Sequence, residues 1–581
     1  MPIVAQSTET TDWVSRFADE VIEESERRAP GKPVVVASGL SPSGPIHLGN
    51  LREVMTPHLV ADEVRRRGYS VRHLISWDDY DRYRKVPNGV EGVDESWSEH
   101  IGRPLTSVPA PRGSAHPNWA EHFKAAMVDA LAELGVEFDG ISQTAQYTSG
   151  VYRAQILHAM KHRADIDAIL EQYRTKKAPA KKPQQKAVDD AEISAAEGSG
   201  AAGEDDGSSG SAGYFPYKPF CGGCGKDLTT VTAYDDDTTE LTYVCTECGF
   251  SESVLLSEFN RGKLVWKVDW PMRWAYEGVV FEPSGVDHSS PGSSFQVGGQ
   301  IVGSVFGGKQ PIGPMYAFVG ISGMAKMSSS KGGVPTPGDA LKIMEPQILR
   351  WLYARRRPNQ SFKIAFDQEI QRLYDEWDKL DAKVADGSAL PADVAAHSRA
   401  VRTAGGELPR TARALPYRTL ASVADITAGA EDQTLRILSE LDPSDPLSSL
   451  DVVRPRLDKA EAWINTQVPA DQRTVVRAEP DSELIKSLDE QGRQSLRLLV
   501  DGLADNWSLD GLTDLVYGVP KVQAGFPADA TAKELPAEIK VAQRTFFALL
   551  YVLLVGRDTG PRLPTLLLAV GQERVRALLG E

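Results

Sequence analysis

Apolar residues at the start of the chain fall at helical spacing. Trp13, Phe17 and Val21 recur every four positions and predict a leading helix within residues 1–30. The period then changes. Pro33-Val34-Val35-Val36-Ala37-Ser38 is a short β-branched run, Gly39 to Gly44 is a Gly/Ser/Pro loop, helical spacing resumes up to Arg67, and Val71 to Ser76 reads as a second strand. Strand, glycine-rich turn, helix and strand make a βαβ unit. The expected fold class is therefore α/β with a Rossmann-type parallel sheet, its ligand lying outside the carboxyl ends of the strands. Val151, Ile156, Leu157, Met160, Ile169, Leu170 and Tyr173 form one stripe and predict a helix over 151–174. Residues 175–213 have almost no large apolar side chain and cannot offset the entropy of ordering, so they read as a disordered insertion, a flexible linker with a basic first half (Lys176, Lys177, Lys181, Lys182). Residues 257–335 return to short strands and glycine turns. From about 337 onward the spacing is helical, as at Leu496, Leu499, Leu503 and Trp507, so an all-α C-terminal region is expected.

Composition narrows this picture. A chain of 581 residues should divide into about three or four domains. With 41% hydrophobic and 25% charged residues it fits a soluble enzyme and neither a disordered nor a membrane chain. The opening MPIVAQSTETTDW lacks a basic region followed by an apolar one, so no secretory leader is expected. The longest apolar run, Phe546 to Val555, is about half of what a bilayer requires. A cytoplasmic location without membrane attachment is expected. The net charge of −16 argues against a nucleic-acid partner only at first sight, because binding depends on local basic surface, and Arg65-Arg66-Arg67 and Arg355-Arg356-Arg357 are basic clusters.

Three stretches carry chemistry. Ser38-Gly-Leu-Ser-Pro-Ser-Gly-Pro-Ile-His47-Leu-Gly49-Asn50 sits where a strand feeds a helix, where glycines admit a nucleotide close to the backbone and free N–H groups face phosphate. Met324-Ala325-Lys326-Met327-Ser328-Ser329-Ser330-Lys331 offers ammonium groups that suit the β- and γ-phosphates of ATP. Cys221-x-x-Cys224 and Cys245-x-x-Cys248 match a two-knuckle zinc ribbon, a closed structural site of four thiolates. Gly307-Gly308-Lys309-Gln310 echoes a phosphate loop but lacks its Ser/Thr and its glycine spacing.

Taken together, H-x-G-[HN] after the first strand and K-M-S-x-S after the sheet resemble the signature pair of class I aminoacyl-tRNA synthetases. The variants His47-Leu48-Gly49-Asn50 and Lys326-Met-Ser-Ser-Ser330 resemble those of class I lysyl-tRNA synthetases, as do SGLSPSGPIHLGNLRE, WDDYDRYRKVP, WKVDWPMRW and ISGMAKMSSSKGG. That family normally has threonine near Ser41, and the insertion at 175–213 is not part of its pattern. Around His116 and His122 the resemblance implies further metal ligands in some members, and the positions here are Pro111 and Ala115, so no metal is expected there. The resemblance implies His47, Asn50 and Lys326 as catalytic residues. It implies an ATP site over Pro42, Ser43, Gly44, His47, Gly49, Asn50, Asp287, His288, Lys326, Met327, Ser328, Ser329 and Ser330. It implies a lysine site over Gly39, Ser41, Asp78, Trp266, Trp270, His288 and Tyr316, with Asp78 on the α-ammonium; the tryptophans serve equally well as pocket walls or as core. Gly556 to Leu579 resembles the end of bacterial glutamyl-tRNA synthetases, which implies a helical anticodon-binding domain.

The expected layout is a catalytic domain at 1–335, with the insertion at 175–213 and a zinc ribbon at 214–256 inside it, then a helical connector at 336–400 and the anticodon-binding domain at 401–581. The implied reaction joins L-lysine to tRNA-Lys with ATP, Mg²⁺ and a structural Zn²⁺, in a monomer whose lysine activation needs bound tRNA. Three competing readings are a synthetase for glutamate, an inactive protein that binds tRNA-like elements, and a small-molecule nucleotidyltransferase.

Overall fold

The computed structural model describes residues 12–174, 208–210, 213–289, 293–322, 333–442, 444–530 and 535–580. It divides into two compact units, one of Met1–Leu341, Pro346–Ala365 and Lys383–Leu408, the other of Lys342–Glu345, Phe366–Ala382 and Pro409–Glu581.

In the first unit the predicted βαβ segment forms as expected. Helix α1 (Trp13–Arg28) precedes strand β1 (Val34–Leu40), helix α2 (Leu51–Arg66) and strand β2 (Val71–Trp77). Helix α3 (Trp119–Glu133) leads to strand β3 (Asp139–Ser142). The pairs β1–β2 and β2–β3 are parallel, with Val34 opposite Val71 and Leu74 opposite Asp139. Single parallel bridges, Val36 to Phe281 and Phe281 to Ile312, continue the sheet on the far side of β1. Thus β1 lies at a reversal of strand order, where the carboxyl ends of a parallel sheet open a crevice. A strand buried on both faces needs apolar residues in an unbroken run, which Val34 to Ala37 supply. One face is covered by α2. On the other, Val35, Ala37 and Leu74 pack against Trp270 and Trp274.

The chain between β2 and α3 is held by its own small core, in which Tyr83, Trp97 and Leu105 pack against Trp119 and Phe123 of α3. The helix predicted over 151–174 is two helices, α4 (Arg153–Lys161) and α5 (Arg163–Arg174), and Val151 of its stripe is exposed. Neither Gly nor Pro marks the break at His162, so spacing alone does not reveal it. Residues 175–207, 211 and 212 of the expected disordered insertion lie outside the described residues. Its end differs from expectation, because Ser208–Gly210 pairs with Gly213–Phe215 as a short antiparallel hairpin.

The cysteine-bearing segment is an antiparallel three-stranded sheet, β5 (Thr229–Tyr234), β6 (Glu240–Cys245) and β7 (Ser251–Leu255). Its neck is the antiparallel pair of β4 (Tyr217–Pro219) and β8 (Gly262–Leu264). The stretch 257–335 is not only strands and turns. Helix α6 (Trp266–Glu277) and the helix Ser294–Ser304 lie within it. Three tryptophans and Pro271 lower the helix propensity of α6, but Trp266, Trp270 and Trp274 recur every four residues, the first pair stacked and the second tilted, so packing overrides propensity. Past 337 the chain is mainly helical, interrupted where Phe362–Ile364 pairs with Val319–Ile321.

The second unit is helical. Leu496, Leu499 and Leu503 are buried with Phe546, Leu550 and Leu566, and Trp507 packs against that core. Arg456 anchors a buried polar node, 2.8 Å from both Glu345 and Asp378. No helix among the described residues is long and apolar enough to cross a membrane.

Candidate active site

The site is built at the carboxyl end of β1. After Leu40 the chain passes through Ser41, half-buried Pro45 and buried Pro42, Gly44 and Ile46, with Ser43 exposed, and reaches His47. His47 precedes the single turn Leu48–Asn50, and its Nδ1 accepts from Gly49 N–H at 3.1 Å. Burial lowers the His47 pKa to about 4, so the ring is neutral. With Nδ1 accepting, the ring proton is on Nε2, which makes His47 a neutral N–H donor at the mouth of the crevice. Asn50 caps α2 by position only, since its side chain makes no capping hydrogen bond. The loop of the second motif, with Lys326, Met327, Ser328, Ser329 and Ser330, lies outside the described residues. The chain beyond it returns to the first motif, where Leu48 N–H donates to the Pro335 carbonyl at 2.8 Å.

Asp78 follows β2 and is tied back to β1 through its N–H, which donates to the Leu40 carbonyl at 2.9 Å. Its Oδ1 accepts from Arg273 at 2.7 Å, and Arg273 also donates to Ser76 Oγ at 3.0 Å. Asp78 Oδ2 faces Gly39, 3.9 Å from where a Cβ there would lie. Two further carboxyls complete the cluster. Glu53, in the first turn of α2, accepts from the Tyr316 hydroxyl and from Gly39 N–H. Glu282 accepts from the indole N–H groups of Trp270 at 3.0 Å and Trp274 at 2.6 Å. Burial raises all three acids, Glu53 to about 8, Glu282 to about 7 and Asp78 to about 6, and mutual repulsion adds to this. Arg273 lowers Asp78 and Glu282 but does not remove the cost. A cation entering this cluster relieves the cost and an anion adds to it.

The aromatic candidates lie against these acids. Trp266 and Trp270 stack at 5.1 Å, and the His288 ring is 6.3 and 5.8 Å from them. A cavity runs between the sheet and α6, lined by Gly39, Ser76, Trp266, Trp270, Arg273 and Glu282 among others. Trp270 is both core and wall: it is buried, its N–H is taken by Glu282, and one face lines the cavity. Trp266 is half-buried, and its N–H has no acceptor among the described residues. Tyr316 lies over Gly285 in the neighbouring strand, 3.4 Å from a Cβ there. Asp287 begins the turn that carries His288, with its side chain outside the described residues. Glu53, Arg273 and Glu282 were not singled out by sequence. Glu53 has the bland look of an acid in a first helical turn, and only its burial makes it unusual.

The four cysteines come together as their spacing predicts. All four sulfurs lie within 4.8 Å of one another, with Cys221 Sγ 3.6 Å from Cys248 Sγ and Cys224 Sγ 3.7 Å from Cys245 Sγ. Gly223 N–H donates to Cys221 Sγ at 3.2 Å. These separations are far beyond the ~2.05 Å of a disulfide. They are close to the ~3.8 Å edge of a tetrahedron with ~2.3 Å metal–sulfur bonds.

Comparisons with known proteins find relatives over nearly the whole chain. The chain is 88% identical over its full length to a lysine–tRNA ligase of Streptomyces coelicolor, covering 100% of both chains. It is 32% identical to the lysine–tRNA ligase of Thermococcus kodakarensis, covering 97% of this chain and 98% of that one. It is also 32% identical to that of Treponema pallidum, covering 98% of each. The family described as tRNA synthetases class I (K) matches residues 11–407, which take in β1, the His47 turn, the acid cluster and the four cysteines, and the chain belongs to that family.

Proposed function

We propose that the chain is a lysine–tRNA ligase, activating L-lysine with ATP and transferring it to the terminal adenosine of tRNA-Lys. The observation that carries this reading is the cluster of three acids, buried Asp78 and Glu282 and half-buried Glu53, served by one guanidinium at the carboxyl end of β1. Lysine brings two ammonium groups to it. The Oδ2 of Asp78 beside Gly39 suits the α-ammonium, and Glu53 with Tyr316 suits the ε-ammonium. Trp266 and Trp270 wall the aliphatic stem, with Ser41 and His288 at its ends. Glutamate is disfavoured because its side-chain carboxylate would join three acids.

In the activation step a lysine carboxylate oxygen bonds to the α-phosphorus of ATP as the bond to pyrophosphate breaks. The nucleophile is already ionised, so no protein base is required, and positioning and charge stabilisation carry the step. His47 Nε2–H and Asn50 donate to the phosphates, Gly49 leaves room for adenine, and Pro42 to Gly44, Asp287 and His288 complete the nucleotide site. Lys326 and Ser328 to Ser330 meet the leaving pyrophosphate. Mg²⁺ arrives on the ATP phosphates as part of the substrate. Cys221, Cys224, Cys245 and Cys248 would hold a structural Zn²⁺ in a zinc ribbon, a closed site with no open position for substrate. The helices beyond the catalytic unit read the anticodon, and the protein acts as a cytoplasmic monomer.

ATP–pyrophosphate exchange with each amino acid, with and without tRNA, tests this. Exchange with lysine alone, dependent on tRNA, is the expected result. Exchange with glutamate, or with no amino acid, overturns it.

A further inference from the structure

A buried ionic network joins the loop after β2 to the neck of the four-cysteine segment. Lys263, in β8, is ion-paired with Asp81, and its Nζ is 3.7 Å from Asp269 Oδ2. Asp269 is paired with Arg273, one helical turn along α6, and accepts from the Tyr147 hydroxyl at 2.5 Å. Arg273 in turn holds Asp78 Oδ1 at 2.7 Å. Tyr147 also fixes β8 itself, accepting from Leu264 N–H at 3.2 Å. Three carboxylates, Asp78, Asp81 and Asp269, therefore face two cations, Lys263 and Arg273. Asp81 and Asp269 are both engaged, and Asp78 Oδ1 is engaged. Asp78 Oδ2 and Asp81 Oδ2 are the oxygens of the three carboxylates left without a hydrogen bond among the described residues, and Asp78 Oδ2 is the one on the side of Gly39. The network is short of one positive charge, and the shortfall sits where the crevice opens.

We propose that Lys263 is a positioning residue for the amino-acid subsite. By neutralising Asp81 and bracing Asp269, it leaves Arg273 committed to Asp78 Oδ1, so that Asp78 Oδ2 is held ready for the substrate's α-ammonium. The proposal rests on the ligase reading, with Asp78 as the α-ammonium receptor. Other charges facing the network are few: Asp78 is also met by Glu53 and Glu282, and Asp81 by Arg84. Lys263 has Asp81, Asp269, Asp78 and Arg273 about it. Among the described residues Lys263 is the cation ion-paired with Asp81, and Arg84 faces it without a hydrogen bond.

Charge arithmetic gives a test that a merely structural neck would fail. Lys263→Met leaves Asp81 unpaired and competing for Arg273. Asp81→Asn frees Lys263 to compete with Arg273 for Asp269. The double variant restores the shortfall of a single charge. Exchange rates are measured with tRNA present, varying lysine and ATP separately. Each single variant is expected to raise KM for lysine by about tenfold, since half of a partly buried ion pair is left behind. KM for ATP should stay within about twofold, because the ATP phosphates meet other residues. The double variant is expected to bind lysine better than either single one, and Lys263→Arg to restore most of the affinity. A double variant as poor as the worse single one, or equal losses in lysine and ATP affinity, overturns the proposal. So does an unchanged lysine KM in Lys263→Met when the wild type shows lysine-dependent exchange. A wild type without lysine-dependent exchange overturns instead the reading beneath it.

Discussion

At the residue scale, the proposed site holds groups whose protonation is shifted by burial. Glu53 has its pKa raised to about 8 by burial, above its unfolded value, so its stabilising effect is present below the unfolded pKa and is lost as pH rises through 8. The same sign holds for Glu282, raised to about 7. An arriving ammonium reverses the preference by favouring the carboxylate, so lysine binding near pH 7 is expected to release protons. Calorimetry in two buffers of different ionisation enthalpy measures this, and Glu53→Gln should reduce the release and weaken lysine binding. Release unchanged in Glu53→Gln would show that Glu53 does not meet the substrate. His47 has the opposite sign, lowered to about 4 and therefore neutral throughout the working range. A rate profile should show no inflection near 6.5 from this ring. His47→Ala should lower kcat by about 10²–10³-fold, as for other lost transition-state donors, with lysine KM nearly unchanged; a loss confined to KM would move His47 out of the phosphate site.

At the element scale, Val231, Leu241 and Tyr243 of the four-cysteine segment join a larger apolar cluster, and a metal on the sulfurs would add a second tie to its fold. About one zinc per chain is expected on elemental analysis. Chelation should then open Tyr217–Leu264 to protease. Metal content near zero in active protein, with no change in cleavage on chelation, would contradict the zinc assignment. The elements also show which features spacing reveals. The β1–α2–β2 unit was legible because its periods switch cleanly at glycines, and the cysteine cluster because ligand spacing is itself the geometry. Helix α6 was not, because three tryptophans and Pro271 lower its helix propensity although Trp266, Trp270 and Trp274 recur at helical spacing. His47, Asp78 and the tryptophans were named as candidates from motifs. Glu53, Arg273, Glu282 and Lys263 were not, since their roles come from burial and from partners distant in sequence. Lys263 and Asp81, for example, are 182 positions apart.

At the scale of the whole molecule, the two units are interleaved along the chain, because the second takes Lys342–Glu345 and Phe366–Ala382 from between segments of the first. A cut after Leu408 is therefore not a domain boundary in energetic terms. Glu345 and Asp378 would remain on the shortened chain while their partner Arg456 is removed. Arg456 and Glu345 are almost wholly buried, and Thr411, also lost, donates to Glu345 at 2.7 Å. The point variant Arg456→Met isolates this node without cutting the chain. It should destabilise the second unit by about 3–5 kcal/mol, the cost of an unpaired buried charge. Urea unfolding followed by tryptophan fluorescence reads the loss as a lower midpoint of the transition that reports Trp463 and Trp507. The variant Arg456→Met/Glu345→Gln should recover part of it, because both charges are then gone and only the hydrogen bonds are missing. A full-length Arg456→Met protein that unfolds like the wild type would mean that the node carries no net stability and that a chain ending at Leu408 should fold on its own.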